Sequence, residues 1–118
     1  MPSASPDDLP LQEVAPGYRS RFAEWGALTV GLESAPAGTD AGALLDGARC
    51  QAHHWGYLVT GRIVVEYEDG RSEEIVAGRA YYLEPGHRIR IAEDSQAVEF
   101  TPTEELQRTL DLVRAAAG

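Results

Sequence analysis

An all-β domain closed by one C-terminal helix is the fold this sequence predicts, and three observations carry the prediction. Between residues 53 and 100, short runs rich in Val, Ile and Tyr recur every ~8–12 residues, the interval at which sandwiches and barrels place their strands. Gly-containing turn signals separate the runs: Thr60-Gly61, Asp69-Gly70, Ala77-Gly78 and Pro85-Gly86. Beyond residue 101 the period changes, and Leu106, Leu110 and Val113 fall at helical spacing.

Residues 1–20 read as an N-terminal arm, partly ordered, because they are rich in Pro, Ser and Asp and include Pro16-Gly17. The barrel is expected over residues 21–101, with a first strand from Ala27 to Glu33. Ser34 to Gly47 is a loop of Gly, Pro and small residues, anchored by Ala43-Leu44-Leu45. Strands from His53 to Thr60 and from Arg62 to Glu68 flank the turn at Gly61, and Asp69-Gly70 is a hairpin turn into Arg71 to Val76. Ala80 to Glu84 then meets the Pro85-Gly86 corner. Arg88 to Ala92 follows, and a turn at Glu93-Asp94-Ser95 leads to Gln96 to Phe100. The helix and tail take residues 102–118. Thr101 is placed as N-cap, Pro102 at the first helical position and Glu104 at the third, the pattern of a capping box.

The chain has 118 residues, enough for one core. Ten basic against nineteen acidic side chains give a net charge of −9, and there is no lysine. A nucleic-acid partner needs a basic face to neutralise phosphates, so that class is excluded, and anionic membranes are disfavoured. No apolar run approaches the ~20 residues of a membrane span. Residues 1–10 lack the basic and apolar regions of a signal peptide. Cys50 is the single cysteine, so it has no disulfide partner within the chain and suits a reducing, cytoplasmic setting.

The stretch from Cys50 to Gly61 carries the candidate chemistry. On a strand, Cys50, Ala52, His54 and Gly56 share one face, while Gln51, His53, Trp55 and Tyr57 share the other. Cys50 and His54 then lie about 13 Å apart at full extension, so one ion can reach both only if the strand coils or bulges near Ala52. With His87 they make a Cys/His₂ set that leaves one position open, the pattern of catalytic zinc; imidazoles also suit Fe and Ni. The same residues also read as packing: Cys50 as a small buried hydrophobe and His54 as a hydrogen-bonded core residue. His53 has the outer-face parity. Trp55 and Tyr82 are candidate ligand contacts at a pocket mouth, Glu84 a candidate general acid or base, and Arg90 a candidate anion contact.

Two segments together resemble the cupin superfamily. The first is Cys50 to Gly61, ending in Tyr57-Leu58-Val59-Thr60-Gly61. The second runs from Gly78 through Ala80-Tyr81-Tyr82-Leu83 to Pro85-Gly86-His87. The resemblance covers roughly residues 48–100. It implies a jelly-roll (double-stranded β-helix) barrel, a transition metal in that barrel, a small-molecule ligand and a homodimer. Counted back from Gly61, His54 stands where cupins keep a glutamate ligand, and Cys50 and Ala48 stand where they keep two histidines. His87 comes earlier than the second-motif histidine, whose place is nearer Arg90, and Arg79 stands where an acidic residue is usual.

Three classes of function follow. The first is a metal-dependent enzyme of small molecules, an isomerase, cyclase or dioxygenase as the resemblance implies, with Zn, Fe or Ni as cofactor. The second is a metal-free binding or sensing barrel. The third is a stabilising partner subunit whose barrel is filled by side chains.

Overall fold

The computed structural model describes residues 3–117, so the first two residues of the expected arm and Gly118 of the tail lie outside it. Seven strands alternate in direction around one core. They are β1 (Leu11–Ala15), β2 (Tyr18–Trp25), β3 (Leu28–Ala35), β4 (His54–Tyr67), β5 (Ser72–Val76), β6 (Arg79–Leu83) and β7 (His87–Pro102). A short helix, α1 (Ala41–Leu44), sits between β3 and β4, and α2 (Thr103–Ala117) follows β7. All pairings are antiparallel in the order β1-β2-β3-β7-β4-β5, and β6 also pairs with β4. No described helix is long and apolar enough to cross a membrane.

Two long strands shape the barrel. The sequence predicts separate strands on either side of Gly61 and of Glu93-Asp94-Ser95; the structure has one continuous strand at each place. The turn signals act as bulges instead. The β4–β7 register shifts between Leu58 and Ile63, bending both strands together. Gly61 adopts φ 91°, and a Cβ there would collide with Ser95 Oγ and the Asp94 carbonyl, so only Gly lets the two bulges nest. On either side of the bend β4 has a different partner, β6 along His54 to Leu58 and β5 along Arg62 to Glu66. Leu58, Ile63, Val65, Tyr67, Ile75, Leu83 and Ile91 fill the core at this bend.

Other differences have local causes. Residues 11–20, expected in the arm, contain β1 and the start of β2, because Leu11 to Ala15 pairs edge to edge with β2. The capping box at Thr101 does not form: β7 runs through Pro102, and the helix begins at Thr103, whose N–H donates to Ala27 O at 3.0 Å. Thr101 turns inward, where a histidine uses its hydroxyl. The hairpin at Asp69-Gly70 is as predicted, with Gly70 N–H donating to Tyr67 O at 3.0 Å. Leu106, Leu110 and Val113 face the barrel from α2.

Candidate metal centre

Cys50 precedes β4 and is not part of it. Its N–H donates to His87 O at 3.0 Å, and Gly86 N–H donates to Cys50 O at 2.8 Å, which pins the residue against the start of β7. The chain then bends at Ala52, 1% exposed, and β4 starts with His54 pointing inward. The bend removes the ~13 Å separation of an extended strand. Cys50 Sγ lies 3.6 Å from His54 Nε2, and the donor atoms of Cys50, His54 and His87 all fall within 4.8 Å of one another.

The far sides of both imidazoles are held. His87 Nδ1 donates to Glu84 O at 2.7 Å, which fixes the hydrogen on Nδ1 and turns the Nε2 lone pair inward. His54 Nδ1 lies 2.6 Å from Thr101 Oγ1 and 3.6 Å from Glu99 Oε1; with the hydrogen on Nδ1, its Nε2 lone pair faces Cys50. This is the outer support that metal-ligating histidines use. Burial pulls both imidazoles down to about 4, so they are neutral at pH 7 and free to ligate. Burial also raises the Cys50 thiol, and Thr109 Oγ1 of α2 approaches its sulfur at 3.6 Å.

The triad forms one side of a cavity of about 110 Å³ between the barrel, α1 and α2. Phe22, Leu45, Leu106, Leu110 and Val113 give it apolar walls, while Tyr18, Ser20, Glu33 and Glu99 give it a polar side. The one guanidinium in its lining, Arg88, is turned to Asp40 through two hydrogen bonds of 3.1 and 2.7 Å, and those bonds hold the Asp40 carboxyl below its usual range.

Glu33 and Glu99 were not singled out from the sequence. In the register, Glu99 lies between Gly31 of β3 and Gly56 of β4, and Glu33 lies opposite Ala97, so the two carboxyls are diagonal neighbours on the inner face. The flanking glycines leave room for large neighbours: a Cβ on Gly56 would strike the Tyr81 ring, and one on Gly31 would press on Phe22 and Glu33. Tyr18 Oη donates to Glu33 Oε2 at 3.3 Å, and Tyr81 hydrogen-bonds Glu99. Burial, then the neighbouring Glu99, pushes Glu33 up to about 8; burial pushes Glu99 up to about 7.

The remaining candidates lie elsewhere. Glu84 is on the surface, its side chain bonded to Arg71 at 2.6 Å, and it does not line the cavity. Trp55 and Tyr82 stack on the outer face with ring centroids 5.3 Å apart, 45% and 42% exposed. His53, also outward, bonds Glu105 of α2 through both N–H and Nδ1 at 2.8 Å, clamping the helix to the bend. Arg90 pairs with Glu66 on the surface.

No family model and no curated protein matches the sequence. The fold has clear counterparts among solved structures. Ectoine synthase from P. lautus aligns over 86% of this chain and 78% of its own, with 15% identity and a TM-score of 0.68. Single-residue variants of Bacillus subtilis oxalate decarboxylase align over 84% of this chain, with 16–18% identity and TM-scores of 0.62 and 0.65. The chain spans only 28% of the oxalate decarboxylase length. At these identities the likeness is one of fold.

Proposed function

We propose that this chain, which has the cupin fold, holds one divalent transition-metal ion through Cys50, His54 and His87 and receives a small organic molecule in the adjoining cavity. The observation that carries the reading is the convergence of three donor atoms within 4.8 Å at the edge of that cavity. The donor types fit: two neutral imidazoles and a sulfur suit Zn first, with Fe and Ni as other occupants, and three protein ligands leave a position open to a substrate. When bound, such an ion supplies Lewis-acid polarisation of a substrate oxygen. The protein's own share is to hold both imidazoles by Nδ1 and to wall the site with α2.

Elemental analysis after dialysis against zinc tests the reading. One equivalent in the wild type, with loss in His54→Ala and His87→Ala, is the expected result. Less than about a tenth of an equivalent in every preparation rejects it.

A metal-free binding barrel is the second reading, favoured by the apolar walls of the cavity. It requires ligand-induced stabilisation without metal, and an unchanged melting temperature on chelation.

The partner we propose is a second copy. Trp25, Leu28, Trp55, Tyr57, Tyr82 and Phe100 are exposed, and their strand parity puts them on one outer face of β2, β3, β7, β4 and β6. An apolar face of this kind marks an association site, and a two-fold pair covers both copies of it. Phe100→Glu is expected to convert a dimer in sedimentation equilibrium to a monomer; a wild type that is monomeric at high concentration contradicts the dimer.

A further inference from the structure

We propose that helix α2 and the metal ion hold the same bend, residues 50–54, and reinforce each other: Glu105 is the positioning residue that keeps Cys50 beside His54, and a filled site draws α2 down over the cavity. The inference rests on the reading that Cys50, His54 and His87 take an ion, and it adds how that site is regulated.

The bend takes its support from the helix. Cys50 is fixed through its own N–H and carbonyl to His87 and Gly86, and His54 opens β4. Between them, the His53 N–H donates to Glu105 Oε1 of α2 at 2.8 Å, and the same oxygen lies 2.8 Å from His53 Nδ1. One carboxylate oxygen therefore sets both the backbone and the ring of the residue before the His54 ligand. One turn further along the same face of α2, Thr109 Oγ1 stands 3.6 Å from Cys50 Sγ. Ala52, at the vertex, donates its N–H to that sulfur. The helix thus grips the bend on both sides of Ala52.

The helix in turn has little else to hold it. None of its 15 residues is fully buried, and a helix of that length is marginal in water without packing. Its first residue is tied by Thr103 N–H to Ala27 O at 3.0 Å and by the Thr29–Thr103 hydroxyl pair at 2.8 Å, so a released helix stays anchored at that end. Leu106, Leu110 and Val113 form the neighbouring stripe and wall the cavity. Docked and released states of such an element differ by little free energy. An ion that gathers Cys50 and His54 fixes the bend in the shape that Glu105 and Thr109 grip. A metal-bound thiolate also accepts the Thr109 hydroxyl more strongly than a thiol does. Both effects favour the docked state, and linkage makes them mutual: a docked helix raises the affinity for the ion. The apolar wall of the cavity is then completed when the ion is in place.

Amide hydrogen exchange of the full chain with and without saturating zinc, together with zinc affinity by chelator competition, tests this. In the wild type, zinc should slow exchange across residues 107–116 at least about tenfold while the β5 amides change less than about threefold. Glu105→Ala should weaken zinc binding about tenfold, and at saturating zinc it should cut the slowing of α2 to under about threefold. Glu105→Gln keeps the oxygen that accepts from His53 and loses only the charge, so it should restore both readouts to within about threefold of the wild type. A Gln variant as impaired as the Ala variant overturns the positioning role, as does an Ala variant that binds zinc like the wild type. Zinc that binds at one equivalent by elemental analysis but leaves α2 exchange unchanged rejects the coupling and leaves the metal reading standing. Absence of zinc uptake in the wild type rejects both.

Discussion

Replacing Glu33 with Gln should make the protein more stable at alkaline pH, although it removes a charged residue from the interior wall. The Glu33 carboxyl keeps its proton up to about pH 8 in the folded chain, against an ordinary value of 4.5, because burial and Glu99 both disfavour the charge. Below pH 4.5 both folded and unfolded chains are protonated, and the group contributes no slope. Between the two values the folded chain holds a proton that the unfolded chain has released, so stability falls as pH rises. Above about pH 8 the full cost is present. At about 1.4 kcal/mol per unit, the interval sets a ceiling near 5 kcal/mol. The Glu33 residue is only part-buried, and its carboxyl lines a cavity shared with Glu99, so we expect about 1–2 kcal/mol. Gln keeps the shape and does not titrate. Thermal unfolding of the metal-free proteins between pH 5 and pH 9 should therefore show the variant gaining on the wild type by about 4–8 °C across the range. A difference that does not change with pH would refute the assignment of the buried proton to Glu33.

Two further substitutions test the packing and the ligand support. Thr101→Val keeps the side-chain volume but removes the partner of His54 Nδ1; metal affinity, measured by competition with a chromophoric chelator, should fall about 10–100-fold. Gly56→Ala drives a methyl into the Tyr81 ring; it should cost about 1–3 kcal/mol in urea unfolding, and a neutral result would show that Tyr81 is free to move.

The barrel was legible because hairpin chemistry is local. Asp69-Gly70 and Pro85-Gly86 announce their corners whatever lies around them. The long strands were not legible at Gly61 and Glu93-Asp94-Ser95, because a bulge and a turn use the same residues and differ only in what pairs opposite. The carboxyls were missed for a related reason. In Val98-Glu99-Phe100, alternation alone points the apolar residues inward, yet Val98 and Phe100 belong to the apolar outer face and Glu99 points into the cavity. Gly31 and Gly56, each opposite Glu99, were the available signal, since two glycines on one inner row make room for something large. Cys50 and His54 were recognisable by type. Their approach depended on a bend at Ala52 that residue spacing does not reveal.

The most direct test of the central claim is the absorption spectrum of the protein loaded with one equivalent of Co²⁺. If Cys50, His54 and His87 hold one ion, wild type will show a sulfur-to-cobalt charge-transfer band together with the visible bands of a four-coordinate ion. The charge-transfer band will vanish in Cys50→Ser, and both sets will weaken in His54→Ala. A spectrum of weakly bound six-coordinate cobalt, the same in all three proteins, would contradict the account.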